Sequence, residues 1–193
     1  DFSADSLSQL VAETCTLAKA VVEDQVSGLP AADQMAGETP DLDLYDSTRL
    51  NTEQQIELAK RVEAAAMSTD ERLTNSEGGD FDSSSGRVVL GNSHGFLGEY
   101  QSSSFSMSVS PVATDPETGV MQRDSWYTVQ RKFSKLDSPE AVGLEAARRT
   151  VRKLGARKVA TQRVPVVFDS EMAGSLMGNL CSAVSGYSLY KGA

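Results

Sequence analysis

The chain has 193 residues, of which 39% are hydrophobic and 23% are charged, and its formal net charge is −9. These values describe a globular protein long enough for one or two hydrophobic cores. The absence of a run of roughly 18 apolar residues and of a charged-then-apolar leader excludes a membrane-spanning protein and leads us to expect a cytoplasmic one. The two cysteines, Cys15 and Cys181, lie far apart and outside any C-x-x-C pattern, which excludes a disulfide framework and a cysteine-based structural zinc site.

The first predicted element is a helix over residues 5–26, with Ser6 and Gln9 at the spacing of a capping box. Its apolar side chains recur at helical spacing: Leu7, Leu10, Val11, Leu17, Ala18, Val21 and Val22. Gly28 and Pro30 predict where this helix ends. Residues 28–47 are rich in Pro, Gly and Asp, and we expect them to form an acidic linker between two domains.

A second helix is predicted over residues 52–67, with Thr52 and Gln55 as its capping pair and Glu57 and Arg61 as a surface i,i+4 pair. One face of this helix should cover a sheet and carries Ile56, Ala59, Val62 and Ala66. Alternating patterns predict the strands of that sheet at residues 72–77, 87–92, 96–113 and 121–135. Its apolar side is expected to carry Phe105, Met107, Val109, Tyr127 and Val129.

A third helix is predicted to start at Ser138 and Pro139, where Ser is a cap and Pro suits the first turn, and to end near Leu154. Residues 164–168 are predicted to form a buried strand, and a last helix is predicted to begin at Ser170 or Glu171. The fold class is therefore predicted to be α+β, with helices packed on a mainly antiparallel sheet.

Basic residues concentrate in the third helix and just after it, although the sequence pI is about 4.6. The cluster comprises Arg148, Arg149, Arg152, Lys153, Arg157 and Lys158. Nucleic-acid binding needs such charges, but cations also complement the end of a helix, and no aromatic residues are interleaved with this run. We therefore expect no direct binding of nucleic acid.

Three other groups of residues carry weak signals for chemistry. His94, the single histidine, lies in a Gly/Asn/Ser-rich turn, where an exposed side chain is the simpler interpretation than a base or a ligand. The glycines at 91, 95 and 98 fit neither a dinucleotide fingerprint nor a Walker loop. The aspartates of the linker, at 41, 43 and 46, lack the Gly and the terminal Glu of an EF-hand, so a solvated linker is favoured over a calcium site.

Five segments together resemble the TldD/PmbA family of peptidase-like proteins, in its PmbA (TldE) branch, the group described as modulators of DNA gyrase. They are EDQVSGLPAADQMA (23–36), DLDLYDS (41–47), GNSHGFLGEY (91–100), MQRDSWYTVQRKFSKLDSPEAVGLEAARRTVRKLGARKVATQRVPVVF (121–168) and SGYSLY (185–190). The resemblance covers nearly the whole chain and implies a fragment of a longer protein. It implies four regions: residues 1–27 as the end of an N-terminal α/β domain, 28–47 as the linker, 48–163 as a central α+β domain, and 164–193 as the start of a β-rich C-terminal domain.

The segment VPVVFDSEMAGSLMGNLCSAVSG, residues 164–186, resembles the place where the catalytic branch of this family carries G-x-L-L-H-E-x-x-x-H. Matching the register on Ala173, Gly174 and Leu176 puts Gly178, Asn179 and Ala183 where His, Glu and His would stand. Glycine and alanine offer no ligand atom, and an amide takes up no proton near neutral pH. Cys181 lies between these positions, and a small buried hydrophobic residue is a simpler interpretation of it than a metal ligand. The resemblance thus implies a degenerate zinc motif and no metal in this chain.

The function that the resemblance implies is that of a noncatalytic subunit, paired with a TldD-like metallopeptidase that holds the zinc. The heterodimer would process or degrade unfolded, extended peptides, such as an antitoxin directed at gyrase or the precursor of the antibiotic microcin, and would affect gyrase indirectly. Two alternatives stay open. One is a self-sufficient metallopeptidase with ligands outside these residues, and the other is a nonenzymatic regulatory binding protein that forms a homodimer.

Overall fold

The structure is a computed structural model that describes residues 1–24 and 27–192, in two compact units, residues 1–155 and 156–193. The first unit contains the helices α1 (Ala4–Ala20), α2 (Thr52–Met67) and α3 (Pro139–Val151) and the strands β1 (Leu73–Gly91), β2 (Leu97–Thr114), β3 (Met121–Arg123) and β4 (Trp126–Gln130). The second contains α4 (Ser170–Ala183) and α5 (Gly186–Lys191). The fold class is α+β, as predicted, whereas the four domain boundaries stay predictions.

The sheet is a long antiparallel hairpin with two short strands added on one side. β1 pairs with β2 along its whole length, from Leu73 opposite Ala113 to Gly91 opposite Leu97. On the other side of β2, β4 pairs with residues 105–109 and β3 with residues 112–114. Residues 86–91 and 97–102 of the hairpin have neither β3 nor β4 beside them, and we call them, with their loop, the ribbon.

The hydrophobic core lies between one face of the sheet and the helices α2 and α3. Alternate residues of β2 from Ser103 to Ala113 are buried there, while the intervening serines from 102 to 110 lie on the opposite, half-exposed face. One buried cluster joins the three elements through Val62, Ala66, Met107, Val109, Val142 and Ala146. A second, at the far end of β2, contains Leu73, Ala113 and Ala147. Only the part of the sheet next to the helices is therefore held by a core.

Gly143 lets α3 approach α2 closely. A Cβ atom built on it would lie 2.7 Å from the backbone N of Ala66 and 2.8 Å from both the Cβ of Ala65 and the carbonyl oxygen of Val62. No real Cβ atom takes such distances, so any side chain at position 143 forces the helices apart. The glycine is required here for packing between helices.

The predicted helices are present, but three details of their ends and ion pairs were wrong. α1 begins after Ser3, whose side chain accepts from the N–H of Ser6, so the predicted capping box of Ser6 and Gln9 is wrong; the helix ends at Ala20. The predicted end at residue 26 falls on Gln25 and Val26, which lie outside the described residues. α2 spans the predicted residues, yet its capping box is formed by Asn51 and Gln54, one position earlier, because Asn is as good a cap as Thr. Arg61 does not pair with Glu57; its Nη2 lies 2.7 Å from Oε1 of Glu140 in the first turn of α3.

The strand predictions were correct for β2 and partly correct for its neighbours, because the strand predicted at residues 121–135 is divided into β3 and β4 and ends at Gln130. Residues 73–91 form one strand, not two, because pairing with β2 continues through the Gly- and Ser-rich stretch and a bulge between Ser76 and Gly79 takes up the irregularity. The apolar side was misassigned in β4: Tyr127 and Val129 are about half exposed, and Thr128 is buried. Their pairing partners, Ser108 and Ser106, lie on the open face, which fixes this orientation.

The second unit contains two helices and an irregular lead-in. α4 begins at Ser170, as predicted, with the Asp169 carboxylate accepting from the N–H of Glu171. The strand predicted at residues 164–168 is wrong, because this segment is irregular and its apolar side chains are exposed. A strand needs a partner for its backbone groups, and none of the described residues pairs with this segment.

Candidate functional site

The three positions of the degenerate zinc motif lie on α4. Gly178 and Asn179 stand in the middle of this helix and Ala183 is its last residue. Asn179 and Ala183 are one turn apart, on the same side of the helix, and all three residues are exposed. The prediction that these residues share a helix is borne out by their places in α4, whereas their correspondence to metal ligands stays a prediction.

The residues at these positions do not fit a zinc ion. Zinc is held by imidazole, thiolate or carboxylate groups, and this set offers one amide oxygen and two residues without a donor atom. Cys181 is a free, exposed cysteine on the same helix, not the buried residue that we expected. Among residues 1–24 and 27–192, no group of three or more His, Cys, Asp and Glu side chains converges closely enough to hold a metal.

A polar cluster around Ser103, which we call the clasp, fixes the segment before α2 to the sheet. The N–H of Ser103 donates to the carbonyl oxygen of Leu44 (3.0 Å), and the Ser103 hydroxyl accepts from the N–H of Asp46 (2.8 Å). The Asp46 carboxylate accepts from the side chain and N–H of Thr48 and from the N–H of Phe133. These hydrogen bonds, that from the Thr48 side chain first, lower the pKa of Asp46. The Asp46 carboxylate of the clasp therefore connects the segment before α2 to Phe133.

The segment that precedes the clasp lies along the ribbon. Nδ1 of His94, at the tip of the ribbon, is 2.9 Å from the carbonyl oxygen of Pro30, which accepts a hydrogen bond from it. Nδ2 of Asn92 is 3.8 Å from the sulfur of Met35. We call residues 30–45 the strap. The predicted linker thus contains one short 3-10 helix, Ala32–Gln34, is otherwise irregular and contacts the hairpin. The predicted exposed position of His94 is confirmed.

An open groove of about 1080 Å³ lies between the strap and the ribbon. Its apolar lining comes from both sides and comprises Leu42, Leu44, Val88, Leu90, Phe96 and Tyr100. Its charged residues are Asp41, Asp43, Glu99 and Arg131. Reasoning from the sequence missed this groove, because its walls are about 50 residues apart and neither wall carries a motif. The only local signal was the apolar run at residues 88–90.

The acidic residues of the groove differ in whether a cation faces them. Asp43 pairs with Lys132, whose Nζ also donates to the carbonyl oxygen of Tyr45 (2.7 Å). Glu99 pairs with Arg87 across the ribbon. Asp41 accepts a hydrogen bond from the N–H of Asp43 (2.9 Å) and forms no ion pair with any described residue. Asp43 has a positive φ of 51°, which turns the chain toward the clasp.

Three residues of the basic cluster, Arg148, Arg149 and Lys153, contact acidic or aromatic side chains next to them. Arg148 forms two hydrogen bonds with Glu145 on the same helix. Lys153 lies 2.9 Å from the carboxylate of Asp124, and the guanidinium of Arg149 stacks 4.6 Å from the ring centre of Trp126. Although burial opposes it, the hydrogen bond from Lys153 lowers the pKa of Asp124. This part of the cluster has a structural explanation.

Comparison with known proteins gives one family. The description "PmbA/TldA metallopeptidase central domain" matches residues 45–154, more than half of the chain. The chain is 40% identical over 191 residues to Metalloprotease PmbA of Escherichia coli O157:H7 and 37% identical to a PmbA homolog of Haemophilus influenzae. Each match covers 99% of this chain and 42% of the relative, so the chain spans about two fifths of the length of the curated relatives it matches.

The solved structures agree with these relatives. A crystal structure from Bacteroides thetaiotaomicron, described as a modulator of DNA gyrase, superimposes with a TM-score of 0.86 at 26% identity, over 98% of this chain and 43% of that chain. A second, from Thermotoga maritima, has a TM-score of 0.59 at 20% identity, over 65% of this chain and 28% of that chain, and shows the fold alone. No helix in the described part of the chain is long and apolar enough to cross a bilayer.

Proposed function

The chain belongs to the PmbA/TldD metallopeptidase family, and from that premise we propose that it is a noncatalytic subunit of a heterodimeric zinc metalloprotease. The proposal rests on the composition of α4, which carries Gly178, Asn179 and Ala183 at the three positions that the family resemblance matches to metal ligands. A TldD-like partner with an intact H-E-x-x-x-H motif would hold the zinc and activate the water molecule. The residues of this chain would bind and position the peptide.

The substrates that fit this role are unfolded, extended peptides, including an antitoxin or the precursor of a peptide antibiotic. An extended peptide pairs through its backbone with a free strand edge, so binding tolerates varied sequences. The hairpin β1–β2 offers such edges, because no described strand pairs with the outer side of β1. Any effect on DNA gyrase would follow from peptide degradation, without direct contact with DNA. We place the complex in the cytoplasm, where the free cysteines at 15 and 181 stay reduced.

A self-sufficient metallopeptidase is the second candidate, and the relatives' description as metalloproteases favours it. In that case the zinc ligands would come from regions of the longer proteins that these 193 residues do not match. A nonenzymatic regulatory protein, as a homodimer, is the third. The three candidates differ in which purified proteins are needed for hydrolysis.

The decisive test is hydrolysis of an unstructured peptide by three samples: the full-length protein alone, a relative with H-E-x-x-x-H alone, and their mixture. We expect cleavage only in the mixture, and loss of cleavage when a chelator removes the zinc. The matched control is a mixture in which the glutamate of the partner's motif is replaced by glutamine, which should be inactive. Cleavage by the full-length protein alone would contradict the proposal, and no cleavage in any sample would favour a binding role.

A further inference from the structure

The backbone of β2 leaves hydrogen-bonding groups without partners in the groove. In an antiparallel sheet, successive residues of a strand point their N–H and C=O groups alternately to the two neighbouring strands. The N–H of Thr114 donates toward β1, to the carbonyl oxygen of Arg72. The backbone N–H and C=O groups of even-numbered residues of β2 therefore point toward β1. The N–H of Ser103 donates to the carbonyl oxygen of Leu44, on the other side of β2. The backbone N–H and C=O groups of odd-numbered residues therefore point away from β1.

Two of these odd-numbered residues, Glu99 and Gln101, line the groove. Leu44 already occupies the edge at Ser103, and β4 occupies it from Phe105 onward. At Glu99 and Gln101, no described residue makes a backbone hydrogen bond on this side. The edge of β2 is thus complete up to Ser103 and open from Gln101 toward the tip of the ribbon. An open strand edge is a template for a further strand.

The side chains around this edge suit the alternate residues of an extended peptide. Val88 and Tyr100 pair across the ribbon and, with Leu90, form an apolar face inside the groove. Leu42 stands opposite them on the strap. Val88 and Tyr100 are 45% and 52% exposed, so this apolar surface is accessible to a ligand. A peptide with apolar side chains at every second position would cover it.

The charge of the groove favours a cationic residue in the occupant. The lining includes three carboxylates, at Asp41, Asp43 and Glu99, and one guanidinium, at Arg131. Asp43 and Glu99 are already paired, with Lys132 and Arg87 respectively. Asp41 has no cation beside it among the described residues. A lysine or arginine of the peptide would be attracted to this side of the groove, whereas an acidic peptide would be repelled.

We propose that the groove between strap and ribbon binds an extended peptide with alternating apolar residues and a basic residue, added as a strand to β2 at Glu99 and Gln101. This inference rests on the proposed function, because it names where the noncatalytic subunit holds the peptide substrate. The clasp gives the edge a fixed end, so the peptide occupies the stretch between Ser103 and the ribbon tip.

The test measures binding without the partner. A short fluorescein-labelled peptide, in which Leu and Ser alternate and one Ser is replaced by Lys, is titrated with the full-length protein and followed by fluorescence anisotropy. Val88→Asp places a carboxylate on the apolar face of the groove and should weaken binding by about tenfold or more. Val89→Asp is the matched control, because Val89 is the next residue on the same strand, points to the other face, and does not line the groove. Both positions are exposed, so both variants should stay folded, with a slightly lower thermal unfolding temperature for Val89→Asp because its carboxylate stands opposite Glu99.

A second set of peptides tests the pairing of the backbones. N-methylation removes the amide hydrogen, and only every second residue of an added strand donates to β2. Methylation at the Leu positions and methylation at the intervening positions should therefore differ, with one set abolishing binding and the other leaving it nearly unchanged. Equal effects of the two sets would overturn the strand addition.

The outcomes separate this proposal from the proposed function. Equal binding by Val88→Asp and Val89→Asp, with peptide hydrolysis intact in the mixture with the partner, would overturn the groove and leave the function standing. Selective loss of binding in Val88→Asp, with no hydrolysis in any sample, would support the groove and contradict the function. Replacement of the peptide's Lys by Glu should weaken binding to the wild type more than to Asp41→Asn; equal weakening would overturn the role of Asp41.

Discussion

The two halves of the β1–β2 hairpin have different surroundings. Near the helices, β2 buries Phe105, Met107 and Val109 beneath α2 and α3. In the ribbon, the same two strands continue with apolar side chains exposed on both faces: Val88 and Tyr100 on one, Val89 and Leu97 on the other. A two-stranded ribbon with open faces is marginally stable in water by itself. The comparison indicates that the helix-covered half maintains the fold and that the ribbon is available for binding.

The comparison is tested most strongly by removing a large side chain from each half. Met107→Ala deletes a side chain that is 2% exposed and should lower the free energy of unfolding by about 2–5 kcal/mol. Leu97→Ala removes a side chain of similar size that is 77% exposed, and the change should stay within about 0.5 kcal/mol. Urea unfolding of both variants measures the difference. Similar losses in the two variants would mean that the ribbon shares the core.

The next largest effect is expected where α2 and α3 approach closely. Gly143→Ala places a methyl group where α3 meets α2 and should destabilise the fold by about 1–3 kcal/mol. Gly86→Ala is the control in the ribbon, because a Cβ there meets no atom within 4 Å. Thermal unfolding should separate the two variants, and an unchanged melting temperature for Gly143→Ala would show that the helices can move apart freely.

The smallest effect is electrostatic and depends on pH. Hydrogen bonds from the Arg72 side chain, and then from its N–H, lower the pKa of Asp70 to about 2, below the value of about 3.9 in an unfolded chain. A lowered pKa stabilises the fold above the unfolded value, and this contribution disappears as the pH falls from about 4 to about 2. Asp70→Asn should therefore lose less stability than the wild type over that range. Equal acid sensitivity of Asp70→Asn and the wild type would contradict the lowered pKa of Asp70. In the ribbon, Glu99→Gln breaks the exposed ion pair with Arg87 and should leave the free energy of unfolding at pH 7 unchanged.

The helices were the most predictable part of the fold, because their signals are local. The bounds of α2 follow from its apolar period and from a capping sequence, and only the choice between Asn51 and Thr52 as cap was missed. In the sheet, pairing overrides local preference. The Gly- and Ser-rich middle of β1 does not favour a strand by itself, and β2 imposes one. The orientation of Tyr127 likewise depends on its partner, Ser108, and not on its own hydrophobicity.

The two candidate sites, the zinc-motif positions on α4 and the groove, also differ in how far local sequence predicts them. The prediction that Gly178, Asn179 and Ala183 stand in place of metal ligands comes from the sequence alone, because a metal motif is defined by residue types at short spacing. The groove depends on the strap, on the register of the hairpin and on the clasp at Ser103, which brings together segments 57 residues apart in sequence. No short pattern encodes that arrangement.

The alternation of buried and open residues along β2 restricts how this hairpin can change in evolution. Inserting one residue within residues 103–113 would move every following side chain to the opposite face and exchange the serines with the core. The loop at residues 92–96 carries no such restriction, because a change in its length does not change the face on which any strand residue lies. Homologous hairpins should therefore differ in length at the tip, where one residue is gained or lost in both strands together. The buried half should keep a constant length.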